Sequence, residues 1–210
     1  MINYRVGIKI GDRMNESEFK EFLYRNGIID NFLKENGYIY GAQEKEEESS
    51  YGDKPDWLFL ENHRVPILAR FEITPLSFTI LREIYSESSK AFVSRPLVKY
   101  STEWQKYLAK NTGNYMDYVS QYIFQKCNDI EEEDCYRRDE ILKCLEVLRT
   151  DEDSRQDFGN SAMTAKWTED GKNSKYARKP LGEKNRYMLL QKIESELAVV
   201  AVKKENHPEQ

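Results

Sequence analysis

The sequence predicts an α+β fold, in which a small mixed β-sheet is flanked by helices and the C-terminal half is helical. Apolar and polar residues alternate over residues 2–10, which is the two-residue period of a half-buried strand. Two apolar runs at residues 57–60 and 65–73 follow closely enough to form a hairpin. After residue 102 the apolar residues recur at helical spacing instead. The recurring positions are Tyr115, Tyr118, Val119, Tyr122, Ile123 and Cys127, followed by Ile141, Cys144, Leu145 and Leu148.

The composition indicates a folded, reduced protein. Its 210 residues are enough for one well-cored domain, and 12% aromatic residues exceed what a disordered chain with 33% charged residues would carry. The three cysteines fit no zinc signature, and their odd number does not suggest a disulfide framework. We find no signal-peptide pattern and no apolar run long enough to span a membrane. We therefore expect an intracellular, cytoplasmic protein.

The segments before the hairpin are predicted to form two short helices and a strand. One helix begins after Asn15 and ends before Gly27, and a second covers residues 28–35 and ends before Gly37. Both glycines are interpreted as left-handed exits from a helix, a conformation that glycine adopts most easily. Residues 38–42 are predicted to form a short strand.

A helix and an edge strand are predicted after the hairpin. Thr74 is suited to cap a helix and Pro75 to occupy its first position. Apolar residues then follow at four-residue spacing, at Leu76, Ile80 and Ile84. Residues 91–100 are predicted to form another strand, and Pro96 favours the edge of the sheet because proline cannot donate to a strand ladder.

We predict an α/β core domain over residues 1–157, a basic loop over 158–182, a C-terminal helix over 183–202 and a polar tail over 203–210. The net charge of −5 gives no overall attraction for nucleic acid. Between residues 166 and 186, however, seven basic residues stand against three acidic ones, a balance of 7 − 3 = +4. The region either binds a phosphate backbone or is an exposed loop without a partner. The candidate nucleic-acid-binding residues are Lys166, Lys172, Lys175, Arg178, Lys179, Lys184 and Arg186.

The C-terminal helix carries an apolar stripe close to a heptad repeat, at Leu190, Ile193, Leu197 and Val200. This stripe packs either on the body of the protein or on another copy of the chain. A homo-oligomer formed through the C-terminal helix is therefore one predicted partnership.

Two acidic residues of the hairpin form the candidate site. Asp56 opens the first strand and Glu72 stands near the end of the second. Two such residues can converge on one edge of a sheet, where their carboxylates could share a divalent cation. Arg70 and Glu72 also share one face of their strand, so an ordinary surface ion pair between them is the structural alternative.

A Pro-Asp pair before an apolar strand, with a glutamate two residues from the end of the next strand, resembles the PD-(D/E)XK nuclease superfamily. The Glu-Ile pair and the helix predicted after it are also similar to the cap-snatching endonuclease domains of segmented negative-strand RNA viruses. The resemblance covers residues 54–90. It implies that Asp56 and Glu72 bind one or two Mg²⁺ or Mn²⁺ ions, which activate a water molecule and stabilise the leaving oxygen.

The chain departs from the family pattern at two positions. The lysine expected two residues after the glutamate is Thr74, and the upstream histidine ligand of the viral enzymes has no counterpart, since His63 lies in the turn. In the viral relatives a lysine can come from the following helix, where Lys90 is the only lysine. Either Arg70 or Lys90 supplies the positive charge, or the site is degenerate.

The first function that the sequence predicts is that of a metal-dependent nuclease-like domain. It would cleave phosphodiester bonds in RNA or DNA, with Asp56 and Glu72 as ligands and Lys90 as an electrostatic partner. The alternative is a non-catalytic nucleic-acid-binding or protein-interaction module that uses the basic C-terminal loop. A third prediction is a regulatory protein whose last helix self-associates.

Overall fold

The computed structural model describes residues 16–41, 56–60, 66–162 and 181–206. The strand predicted over residues 2–10 lies outside these ranges. The chain divides into two compact units, residues 1–122 and residues 123–210. The division falls inside the fourth helix, among residues that the sequence assigns to a single core domain.

The first unit begins with a pair of short helices, α1 (Glu16–Arg25) and α2 (Ile28–Glu35), as the sequence predicts. Gly27 follows α1 with a φ of +66°, and Gly37 follows α2 with a φ of +82°. Side chains with a Cβ atom are strained at these angles, which explains why glycine ends both helices. The strand β1 (Tyr38–Gly41) comes next.

Among the described residues, five strands form one sheet in the order in which they occur in the chain. After β1 come β2 (Asp56–Leu60), β3 (Pro66–Ile73), β4 (Phe78–Ser86) and β5 (Ala91–Tyr100). Each of these strands pairs with the next, and the four pairs between them are antiparallel. The α+β fold with a helical C-terminal half is confirmed, and β5 is an edge strand of the sheet that the structure describes.

The prediction of a helix after Thr74 is wrong, because the segment forms the strand β4. Thr74 Oγ1 does accept the backbone N–H groups of Leu76 (3.1 Å) and Ser77 (3.0 Å), as a helix cap would. The N–H of Thr74 also donates to the carbonyl oxygen of Ser77 (2.9 Å), so the residues close a tight turn between two strands. Residues 78–81 of β4 are buried on both faces, which removes the alternation that normally identifies a strand.

The core of the first unit lies on one face of the sheet, where aromatic rings from two helices meet β4. Phe32 of α2 lies 5.2 Å from Phe78 of β4 and 4.8 Å from Trp104, measured between ring centroids. Trp104 belongs to α3 (Thr102–Asn111), and its ring is 5.0 Å from that of Phe78. All three side chains are buried. The face of β3 opposite to Arg70 and Glu72 is also buried, at Ile67, Ala69, Phe71 and Ile73, as the alternation of residues along this strand predicts.

Hydrogen bonds from α3 fix the turn between β3 and β4. Trp104 Nε1 donates to the carbonyl oxygen of Thr74 at 2.8 Å, and Gln105 Nε2 donates to that of Leu76 at 2.9 Å. Buried carbonyl groups need such partners, because leaving them unpaired away from water costs free energy. The end of β3, which carries Glu72, is therefore held in place by the helical layer.

The second unit is helical among its described residues. The helix α4 (Tyr115–Asn128) enters it from the first unit, and a 3₁₀ turn (Glu132–Asp134) leads into α5 (Cys135–Ala162). The last helix, α6, covers Glu183–Asn206, so the C-terminal helix predicted from residue 183 is confirmed. None of the helices in the described ranges is both long and apolar enough to cross a membrane.

Ion pairs join α6 to α5 and to the turn before it. Arg137 Nη1 lies 2.7 Å from Glu196 Oε2, and Lys203 Nζ lies 2.7 Å from Asp134 Oδ1. Asp134 is buried. The apolar stripe of α6 is buried at Leu190, Ile193 and Val200.

Candidate metal site and projecting hairpin

The register of the sheet does not place Asp56 opposite Glu72. The backbone of Asp56 pairs with Ala69 of β3, and Glu72 lies three residues further along the same strand, about 10 Å away. An odd spacing puts Ala69 and Glu72 on opposite faces of β3, and Ala69 is fully buried while Glu72 is exposed. The register positions of the two predicted metal ligands are thus separated along the strand direction and belong to opposite faces of the sheet.

Glu72 is not paired with Arg70, the partner that the structural alternative assigned to it. Arg70 Nε lies 3.1 Å from Oε1 of Glu83 on β4. Glu83 is buried, and the hydroxyl of Ser94 on β5 donates to the same oxygen. Glu72 itself stands opposite Thr79 and has no hydrogen-bond or ion-pair partner in the described ranges.

Lys90 lies in the turn between β4 and β5 rather than at the end of a helix. It has a φ of +50° and is exposed. The register places Glu72 beside Thr79, whereas Lys90 follows Ser86, the last residue of β4. Seven residues of extended strand separate Thr79 from Ser86, which is roughly 20 Å. The structure does not bring Lys90 to the predicted metal ligands.

The basic C-terminal loop is only partly described. Lys184 is exposed in the first turn of α6. Arg186 is largely buried, and its Nη2 lies 3.0 Å from Oε2 of Glu152 on α5. The guanidinium of Arg186 therefore forms an ion pair between α6 and α5. The other predicted nucleic-acid-binding residues lie outside the described ranges: Lys166, Lys172, Lys175, Arg178 and Lys179.

Within the ranges that the structure covers, no three His, Cys, Asp or Glu side chains are grouped closely enough to hold a metal ion. Asp56 and Glu72 are only two carboxylates. Because the register separates their positions, an ion bound by either one would have to complete its coordination with water or with the substrate, as Mg²⁺ frequently does.

The most distinctive surface of the described residues is the far half of the β4–β5 hairpin. The register between β3 and β4 ends at the pair Ala69 and Arg82. Beyond it, the pairings among described residues join residues 83–86 of β4 to residues 91–94 of β5. We call residues 83–94 the projecting hairpin, because it continues beyond the last pair that joins β4 to β3.

The projecting hairpin exposes apolar side chains on both faces. Ile84 pairs with Val93, and their side chains are 40% and 39% exposed. Tyr85 pairs with Phe92 on the opposite face, with exposures of 48% and 60% and ring centroids 5.5 Å apart. Directly opposite residues of an antiparallel pair share a face, and the next pair along lies on the other one.

Sequence reasoning predicted β5 but missed this surface. Phe92 and Val93 are adjacent in sequence, so they must point to opposite faces of a strand. When an edge strand has consecutive apolar residues, one of them points away from the core. This pattern in the sequence could have indicated an exposed apolar surface. It was hidden because β4, the partner of β5, was predicted to be a helix.

No protein-family model, curated protein or solved structure matches the chain. Its function is therefore inferred from its own residues.

Proposed function

We propose that this chain is a protein-interaction module whose contact surface is the projecting hairpin. The observation that supports the proposal is the two-stranded ribbon with an exposed apolar pair on each face, Ile84 with Val93 and Tyr85 with Phe92. A two-stranded hairpin is only marginally stable in water by itself. Clustered apolar side chains at a protein surface are typical of sites that bind another protein.

The proposal assigns the contact to the hairpin rather than to the basic C-terminal loop. Arg186 is already paired with Glu152, so it is not available as a contact residue. The aromatic residues of the hairpin are of the type most enriched at protein interfaces, because they bury a large area with few rotatable bonds.

Site-specific photo-crosslinking tests the proposal. A benzophenone amino acid would be placed at Phe92, and in a control protein at Met188, which is also exposed but lies on α6. We expect the chain labelled at position 92 to form a discrete crosslinked product in an extract of the source cells. Excess unlabelled wild-type chain should suppress this product, whereas a Tyr85→Ser, Phe92→Ser double variant should not. No product at position 92, or equal suppression by the double variant, would contradict the proposal.

A metal-dependent nuclease is the second candidate function. It is favoured by the exposure of Glu72 and by the pairing of Arg70 with Glu83, which leaves the Glu72 carboxylate available to a cation. In this proposal Asp56 and Glu72 each hold a separate Mg²⁺ or Mn²⁺ ion, because the register places them on opposite faces of the sheet, and the ion at Glu72 activates water for attack on a phosphodiester. Lys90, on the distant turn, would then act from another part of the surface or not at all.

Thermal unfolding with and without metal tests the second candidate. Because a cation that binds only the folded chain stabilises it, millimolar Mn²⁺ should raise the melting midpoint of the wild-type protein. The increase should be smaller in Asp56→Ala and in Glu72→Gln than in the wild type, because each variant removes one ligand. An unchanged wild-type midpoint in both Mn²⁺ and Mg²⁺ would remove this candidate.

Both candidates include an intracellular location. The three cysteines of the chain are free thiols, which is typical of proteins from reducing compartments. Burial raises the pKa of the Cys127 and Cys144 thiols, so both are poorly reactive.

A further inference from the structure

Two arginines face each other at the base of the projecting hairpin. Arg82 of β4 is directly opposite Arg95 of β5, and both side chains are exposed. Neither guanidinium has an ion-pair or hydrogen-bond partner among the residues that the structure describes. Like charges opposite each other across two strands repel, so this arrangement is unfavourable in the isolated chain.

The arginines share a face with the aliphatic pair of the hairpin. Arg82 and Ile84 are two residues apart on β4, and Val93 and Arg95 are two residues apart on β5. Because side chains alternate between faces along a strand, all four lie on the same one. We call Arg82, Ile84, Val93 and Arg95 the arginine–aliphatic face.

The chemistry of this face distinguishes between possible occupants. A carboxylate placed between two guanidiniums relieves their repulsion and accepts hydrogen bonds from both. Ile84 and Val93 offer apolar area but no aromatic ring on which a nucleobase could stack. The rings of Tyr85 and Phe92 belong to the other face, away from the arginines. The face therefore suits a peptide better than a nucleic acid.

We propose that the partner of the arginine–aliphatic face is a protein segment that presents carboxylates next to aliphatic side chains. On an extended segment, glutamate or aspartate would alternate with valine or isoleucine along one face, matching the two-residue spacing of Arg82 and Ile84. This inference rests on the proposed protein-interaction function and specifies the chemistry of the partner.

The probe is a fluorescent peptide made of repeated Glu-Thr-Val-Thr units, in which glutamate and valine share one face of an extended chain. Its binding to the full-length protein would be followed by fluorescence anisotropy. We expect a peptide with glutamine in place of glutamate to bind about tenfold more weakly, because truncating one partner of a charged contact at an interface has at least this effect. An Arg82→Glu, Arg95→Glu double variant should lose the glutamate peptide by about the same factor and should bind a Lys-Thr-Val-Thr peptide instead.

The control protein is Lys110→Glu, which reverses an exposed charge on α3 and should bind the glutamate peptide as the wild type does. If the double variant fails to fold, the single variants Arg82→Gln and Arg95→Gln carry the same test. Equal binding of the glutamate and glutamine peptides would overturn the proposal. It would also be overturned by tighter binding of a single-stranded oligonucleotide at the arginines, or by self-association of the wild type that the double variant loses.

The two proposals fail in distinguishable ways. A crosslinked product from position 92 together with indifference to peptide charge leaves the protein-interaction function in place and rejects the acidic partner. Absence of the crosslinked product together with equal binding of the glutamate and glutamine peptides rejects the function itself, because neither face of the hairpin then has a partner.

Discussion

Arg70 on β3 is paired with Glu83 on β4, with Nε 3.1 Å from Oε1. The side chain of Glu83 is only 3% exposed, and it also accepts a hydrogen bond from Ser94 of β5. One carboxylate thus connects three strands at the point where the hairpin leaves the sheet. The two glutamates of the region therefore have different roles. Glu83 joins strands of the sheet, whereas Glu72 makes no such contact among the described residues.

The first prediction compares the two glutamates. Glu83→Gln should lower the free energy of unfolding by about 1–3 kcal/mol, since it weakens charge-assisted hydrogen bonds at a buried position. Glu72→Gln should change it by less than about 0.5 kcal/mol, as is usual for an exposed side chain without a partner. Urea denaturation of the two variants measures both values. A loss above roughly 2 kcal/mol in Glu72→Gln would mean that Glu72 is a structural residue and would also end the nuclease proposal.

The second prediction concerns the tip of the projecting hairpin. Phe92→Thr should cost less than about 1 kcal/mol, the range of a cross-strand contact in an exposed pair. Phe78→Ala, on the buried part of β4, should cost about 3–5 kcal/mol because it leaves a cavity. Both are measured by chemical denaturation. Similar costs for the two variants would show that Phe92 packs against the body of its unit, and the hairpin would then not be a free contact surface.

The third prediction tests the left-handed glycine after α2. Apart from its chain neighbours, no atom of the described residues lies within 4 Å of where a Cβ at Gly37 would be, so the cost of Gly37→Ala should come from its φ of +82°. We expect a loss of about 1 kcal/mol. Gly113 is equally uncrowded but does not have a positive φ, so Gly113→Ala should be neutral or stabilising by up to about 0.5 kcal/mol. Thermal or urea unfolding of the pair decides the matter, and equal losses would contradict the prediction.

The fourth prediction is a pH dependence in the helical unit. Hydrogen bonds from Lys192 (3.0 Å) and Lys143 (3.3 Å) lower the pKa of Glu140 below its ordinary value. A carboxylate whose pKa is lower in the folded state stabilises the protein above the unfolded pKa, and this contribution is lost as the pH falls through the folded value. The stability advantage of the wild type over Glu140→Gln should therefore be present near neutral pH and shrink as the pH falls below the ordinary pKa of glutamate.

The matched control for this pH dependence is Glu146→Gln. Glu146 is exposed on the same helix and has no ion pair among the described residues. The difference in stability between the wild type and Glu146→Gln should therefore not change as the pH is lowered. Unfolding midpoints measured across the pH series compare the two variants, and a constant gap for Glu140→Gln would reject the explanation.

Local signals in the sequence were sufficient to predict elements whose ends require a particular backbone conformation. The helix α2 was predicted at its observed bounds, because Gly27 and Gly37 adopt a conformation that few other residues tolerate. The apolar face of β3 was predicted correctly for a related reason. Its residues alternate strictly between a buried and a more exposed side.

The strand β4 could not be predicted in the same way, because the residues before it indicate a helix whereas the segment forms a strand. Thr74 accepts backbone N–H groups as a helix cap does, yet the chain that follows it is extended. With both faces buried over residues 78–81, only the four-residue spacing of Ile80 and Ile84 remained visible, and that spacing favours a helix. The competing signal was the concentration of aromatic and β-branched residues in the segment, which favours a strand.

The predicted metal site illustrates why residue types alone do not define a site. Asp56 and Glu72 were identified as acids on neighbouring strands, and the structure confirms that β2 and β3 pair. Whether two residues of such a pair meet depends on the register, and a shift of one residue moves a side chain to the opposite face. No local signal between residues 56 and 73 predicted that register.

The position of Pro96 in β5 affects how this protein behaves at high concentration. An exposed edge strand is a template on which a strand of another molecule can add, and repeated addition produces fibrils. Proline has no N–H to offer to such a strand, and the positive charges of Arg95 and Lys99 stand on either side of it. Pro96 thus removes one backbone donor from β5, and a strand with a missing donor is a poorer template for the addition of another strand.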